Sequence, residues 1–215
     1  RLTGAPRQAL DRFWADVLAD PQAESVPPAA VPRSGGVVSA AIDATKPMNE
    51  SNFGTVPTTG SYTIATATGG AQTFGIGGGD VQSAALLSAA NTQMAVTSGT
   101  FTIATATGGS STLTIDTATQ SLADVVAAIN GSGIGVTATI ADDQYGHANQ
   151  ISVVSTQGAI TFGNGADTSI FLSATNLLAS TGTTTRTSSA AFTKMMTLNE
   201  VIADLNGSAI GVTAN

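Results

Sequence analysis

Residues 121–138 read SLADVVAAINGSGIGVTA, and residues 197–214 read TLNEVIADLNGSAIGVTA, one pattern displaced by 76 positions without a gap. Each copy opens on a hydroxyl residue, Ser121 or Thr197, with an acid three positions later, Asp124 or Glu200. That spacing predicts a capping-box-like helix start, with negative charge at the positive end of the helix dipole. Leu122, Val125, Val126 and Ile129 then share one helical stripe, repeated as Leu198, Val201, Ile202 and Leu205. Asn130-Gly131 and Asn206-Gly207 read as helix ends, since both residue types tolerate left-handed backbone. A strand is expected to start at Gly135-Val136-Thr137-Ala138. A helix of about two turns is not stable alone, so each copy must lie on a sheet.

A second repeat lies upstream. SYTIATATGG at 61–70 returns as TFTIATATGG at 100–109. Tyr62, Ile64 and Thr66 alternate with Thr63, Ala65 and Ala67, the period of a strand, and the Gly-Gly pairs end or turn the strands. Around the first helix, strands are expected at 111–116, 136–140, 151–155 and 159–162, with a turn at 142–146. This predicts a β-β-α-β-β unit of antiparallel hairpins. Residues 167–178 read as a short capped helix, 181–190 as a Thr/Ser-rich link, and 81–90 as a short helix after a glycine run. The fold class is α+β, mostly β: small antiparallel β-rich domains, each carrying a short helix, preceded by an amphipathic helix.

That leading helix is read over residues 6–19, where Leu10, Phe13, Trp14, Val17 and Leu18 form an apolar stripe expected to bury against a partner helix, as at the end of a coiled coil. Residues 21–36 hold four prolines and read as a linker. The expected domains are 1–36, helix and linker; 37–110, a β-rich domain; 111–190, the first motif domain; and 191–215, the start of a second. A chain that opens on Arg1 and stops inside a repeated unit is expected to be a fragment.

Composition excludes several classes of function. Charged residues are only 10% of the chain, the net charge is −7, and no Lys or Arg lies between Lys46 and Arg186, so a nucleic-acid partner is not expected. The absence of Cys and the single His remove thiolate and multi-histidine metal sites. No apolar run reaches the roughly 20 residues of a membrane span, and no signal peptide is visible. His147 is the one imidazole, with Asp142 and Asp143 beside it, but it falls in a hairpin turn without a nucleophile elbow and reads as a solvated turn residue. Asp142-Asp143 lacks calcium-loop spacing, and Asp116, Asp124 and Asp167 read as strand-end and cap residues. The glycine runs at 75–80 and 131–135 lack the Lys-Ser/Thr of a phosphate loop. Asn-Gly-Ser at 130–132 and 206–208 matches glycosylation sequons but is accounted for by helix capping. No catalytic, cofactor-binding or metal residue is assigned, and no enzymatic activity is expected.

The run TLTIDTATQSLADVVAAINGSGIGVTATI, a turn, and QISVVST resembles the flagellin hook IN motif of bacterial flagellar axial proteins. DTSIFLSATNLLAS at 167–180, and the return of the motif at 197–214, are similar to the filament-capping members, hook-associated protein 2. The resemblance covers about residues 100–214 and is looser over 37–99. It implies an exported, extracellular structural subunit without a cleaved signal peptide, which caps the filament tip and promotes flagellin assembly by self-oligomerisation. Its implied partners are copies of itself, flagellin and other hook-associated proteins. Flagellin and hook-associated protein 1 carry related motifs, so an outer domain of either is the alternative. A secreted adhesin or binding module is the other, since low charge and Thr-rich strands are shared with such modules.

Overall fold

The computed structural model describes residues 41–178 and 184–215, so the helix at 6–19 with Leu10, Phe13, Trp14, Val17 and Leu18, and the linker at 21–36, lie outside the described residues. Both copies of the TIATATGG sequence form the first strand and turn of a hairpin. Strand β1 (Gly60–Thr66) pairs antiparallel with β2 (Gly70–Ile76), and β3 (Gly99–Thr105) with β4 (Gly109–Ile115). The second glycine of each pair closes the turn with positive φ, +77° at Gly70 and +87° at Gly109, where a side chain would be strained.

The first helix, α1 (Leu122–Asn130), starts on a complete capping box between Ser121 and Asp124. Strands β5 (Val136–Asp142) and β6 (Ala148–Ser155) follow as an antiparallel hairpin. Strand β7 (Ile160–Phe162) leaves that hairpin and pairs with β3, giving the sheet order β4-β3-β7. The second sheet has the order β5-β6-β8, its third strand being β8 (Thr185–Thr187). Helix α2 (Phe171–Ala174) lies between, and Phe171 stacks on Phe101 with ring centroids 4.8 Å apart. The last helix, α3 (Leu198–Gly207), repeats the capping box with Thr197 and Glu200. The chain is therefore α+β and mostly β, with small antiparallel sheets and short helices.

Three local expectations are corrected. Residues 81–90 are turns rather than a helix: Leu86 bridges to Ser121, so this backbone pairs across the fold instead of along itself. The expected helix at 167–178 shrinks to the four residues of α2, which has no side-chain cap at Ile170; Asp167 instead accepts from the Thr102 N–H and hydroxyl. Within the expected link at 181–190, residues 185–187 form β8, held by the Arg186 guanidinium donating to the Ile160 carbonyl at 2.9 Å. The second copy forms no strand at 211–214, where the first copy begins β5.

The repeat reaches further than its sequence suggests. Leu87 N–H donates to the Gln120 carbonyl and Ala123 N–H to Ser83; Met48 N–H donates to Met196 and Asn199 N–H to Ala44. The bridge Leu86–Ser121 returns as Pro47–Thr197. These contacts match when residues 43–76 are shifted by 39 positions and 192–214 are shifted back by 76. One module runs unbroken from about residue 82. The other is split, its first half at 43–76 and its second at 192–214, with the unbroken module inserted between them. The expected division at 110/111 falls inside strand β4, and Phe192, placed in the last domain, is buried with the inserted module's core.

That core contains Phe101, Ile103, Ile115, Leu122, Val125 and Ile129 among others, each 2% exposed or less. Leu122, Val125 and Ile129 of α1 are buried, whereas α3 has no buried residue, although its stripe is the same. The difference lies in the cover: β5, β6 and β7 enclose the inserted module, and the split module has no counterpart to them among the described residues.

Candidate functional site

The turn between β5 and β6 is built by Asp143. Its carboxylate accepts from the N–H of Tyr145 at 2.8 Å, the N–H of His147 at 3.1 Å and the side-chain amide of Asn149 at 2.9 Å. Burial works to raise this carboxyl, but those hydrogen bonds and the nearby imidazole together hold it below the usual carboxylate range. Asn149, fully buried, also donates to the Gly78 carbonyl at 2.8 Å and so ties the hairpin to the segment that leaves β2. The ring of Tyr145 lies on Gly75, where any Cβ would overlap it.

This turn delivers His147 to the seam between the two modules. The residue is 9% exposed, not solvated as the sequence reading expects. Its Nδ1 lies 3.9 Å from an Asp80 carboxylate oxygen, and its Nε2 lies 3.4 Å from Asp204 on α3. Asp142 and Asp143, the acids adjacent in sequence, are not the ring's ion-pair partners. Burial pushes the Asp204 carboxyl up; His147 opposes this, while Asp80 and Glu200 add to it. Tyr62 is also raised, by burial first and by Asp204 second, and its hydroxyl is enclosed with no hydrogen-bond partner among the described residues.

A cleft of about 310 Å³ opens beside this group, lined by Phe74, Gly75, Tyr145, His147, Asp204 and Ser208 among others. It holds one imidazole and carboxylates. No hydroxyl is hydrogen-bonded to the ring, and no group of three metal-ligating side chains occurs among the described residues. This arrangement suits a polar strut, with the imidazole bridging the inserted module's hairpin and the split module's helix. It does not assemble a nucleophile with its base.

The other sequence motifs have structural work. Gly78 forms a bridge with Met195 and packs on Thr193 and Ala191, and Gly79 N–H donates to Lys194, so this glycine run permits close backbone approach. Asn130 does not end α1 through left-handed backbone. Its side chain pairs with Ala138, accepting from the N–H at 2.6 Å and donating to the carbonyl at 3.1 Å, and Asn206 makes the same pair with Ala214. The amide nitrogens of both sequons are thereby engaged.

Asp80 and Asp204 are the site residues that the sequence reading passed over. The available signal was a departure inside the repeat: Asp204 occupies the position of Ala128, so a charge has entered a helix whose first copy has a methyl group there. No described helix is long and apolar enough to cross a membrane. No family model, no curated protein and no solved structure matches the chain.

Proposed function

We propose that this chain belongs to an extracellular structural subunit of the bacterial flagellum, of the filament-capping kind, which acts by self-association and by engaging flagellin and other hook-associated proteins. The observation that carries the reading is the duplicated strand–helix pattern at 100–138, which resembles the axial-protein motif and returns at 197–214. Several physical features are in keeping with assembly rather than catalysis. The strands carry hydroxyl-rich outer faces, as in the Thr63–Thr73 pair, and the net charge is −7. The one imidazole is held between Asp80 and Asp204 at the seam of the modules.

The test is localisation. Gold-labelled antibody against residues 41–215 of the chain should mark filament tips in electron micrographs of the cells that make it. Label along the whole filament would favour an outer domain of flagellin, and label at the hook junction would favour hook-associated protein 1. Cells whose filaments carry no label, with binding of the protein to a glycan array, would replace the flagellar reading with that of an adhesin.

A further inference from the structure

The two modules present the same strand edge, filled in one and open in the other. In the inserted module, β3 is covered on its second edge by residues 157–169. Ala106 N–H donates to the Ala159 carbonyl, Gly163 N–H donates to Thr102, and Thr168 and Ser169 N–H both donate to Thr100. Between these lies the β7 pairing, Ile103 with Phe162 and Thr105 with Ile160. The Asp167 carboxylate clamps Thr102 through its N–H at 3.1 Å and its hydroxyl at 2.9 Å.

The corresponding edge of β1 is chemically the same. Residues 63–70, TIATATGG, are identical to residues 102–109, and Ser61 stands for Thr100. Yet among the described residues β1 pairs only with β2, and Ser61, Thr63, Ala65 and Ala67 are all exposed. Behind that edge Tyr62 and Ile64 are half-buried, whereas their counterparts Phe101 and Ile103 are fully buried. An open edge of this kind is a template for an added strand.

We propose that the outer edge of β1, residues 61–67, is an acceptor for an antiparallel strand with the chemistry of residues 157–169: apolar residues at two alternate positions, then an aspartate five residues further on. Main-chain hydrogen bonds supply the attachment. The alternating apolar residues set the register, because a slip of one residue would turn them away from Tyr62 and Ile64. The aspartate fixes the far end at Thr63, as Asp167 does at Thr102. This inference stands on the filled and open edges alone and is independent of the flagellar reading.

The test uses the whole chain and a fluorescein-labelled synthetic peptide of residues 156–169, TQGAITFGNGADTS. Anisotropy should show saturable binding, and amide hydrogen exchange at Ser61, Thr63, Ala65 and Ala67 should slow when the peptide is present. An Asp167→Asn peptide should bind roughly tenfold more weakly, since a charge-assisted clamp becomes a neutral one. In the protein, Ala67→Pro removes the N–H equivalent to that of Ala106, at the head of a turn where proline is well accommodated. It should weaken binding several-fold and leave the circular dichroism unchanged. The proposal is overturned by absence of binding, by binding that slows no amide at 61–67, by amides at 61–67 already protected in the free chain, or by copies of the chain pairing through β1 with each other in preference to the peptide.

Discussion

Thr66 reaches Ile210 across 144 positions of sequence: its hydroxyl donates to the Ile210 carbonyl at 3.0 Å and accepts from the Gly69 N–H at 2.9 Å. In the inserted module, Thr105 does the same with Ile134 at 3.1 Å and Gly108 at 3.1 Å, across only 29 positions. One threonine therefore staples the hairpin turn to the loop after the helix in both modules, whether the two lie in one continuous run or on either side of an insertion. The adjacent glycine belongs to the device. A Cβ at Gly69 or Gly108 would overlap the carbonyl of Ile210 or Ile134, which is backbone and cannot swing aside.

Gly108→Ala should therefore destabilise the chain by about 1–3 kcal/mol, the range for overpacking a close contact. Thr105→Val, which leaves the Ile134 carbonyl and the Gly108 N–H without their partner, should cost about 1–3 kcal/mol. Thr66→Val should cost less, because Thr66 is half-buried whereas Thr105 is buried, so water can replace its bonds. Urea unfolding followed by circular dichroism gives all three values. Equal losses for Thr66→Val and Thr105→Val would show that the split module is as dry as the inserted one.

Asn130 offers a sharper discrimination. Were it present for left-handed backbone, glycine would serve as well or better. Because its side chain instead holds both polar groups of Ala138, Asn130→Gly and Asn130→Ala should both destabilise, by about 1–2 kcal/mol for the lost pair of bonds. Asn130→Asp keeps the acceptor for the Ala138 N–H but sets a carboxylate against the Ala138 carbonyl, and should also lose stability. A neutral Asn130→Gly in the same urea measurement would return the residue to a backbone role.

Acidification separates two aspartates with opposite shifts. Hydrogen bonds from Ser121, backbone first and hydroxyl second, hold the Asp124 carboxyl below its ordinary 3.8, so its contribution is present above that value and is lost as pH falls through the lower folded-state value. Asp204 is raised above 3.8 by burial, so the folded state is favoured by its protonated form, and that advantage fades as pH rises through the folded-state value. Asp124→Asn should therefore lower stability at neutral pH, with the deficit closing in acid. Asp204→Asn should raise stability at neutral pH, with the gain closing as pH falls below 3.8. Thermal melts across about pH 2–7 read both, and parallel curves for the two variants would contradict the assigned causes.

The parts of the fold legible in the sequence are those governed by local chemistry. Ser121 with Asp124, Thr197 with Glu200, and the alternation at 61–66 each specify their own element, and each forms as expected. What escaped the sequence reading depends on partners distant along the chain. Residues 81–90 have helix-compatible spacing but bond across to Ser121, and β8 exists because residues 185–187 find the edge of β6. His147 reads as a turn residue because Asp80 and Asp204, 67 and 57 positions away, are brought to it only by nesting one module inside the other. That nesting was partly visible: the strand repeat and the helix repeat have different offsets, 39 and 76, as an insertion between the halves of one copy requires.

Helices α1 and α3 provide an internal control for what packing adds to propensity. Both start on a complete capping box, both carry the same apolar stripe, and they have nearly the same length, 9 and 10 residues. Helices so short hold together only through tertiary burial, and burial is where they differ: Leu122, Val125 and Ile129 are enclosed, while Leu198, Val201 and Leu205 are half-buried. If each of the three positions loses even 0.5 kcal/mol of burial, a modest share of a full leucine or valine, α3 opens about tenfold more readily than α1. Native-state hydrogen exchange should therefore find the α3 amides exchanging at least tenfold faster than those of α1. His147→Ala, which removes the strut to Asp204, should widen that gap without changing exchange in the β5–β6 ladder. Equal protection of the two helices would mean that the apolar face of the split module is covered in solution, and the cover could then be located by asking which substitutions on that face expose α3.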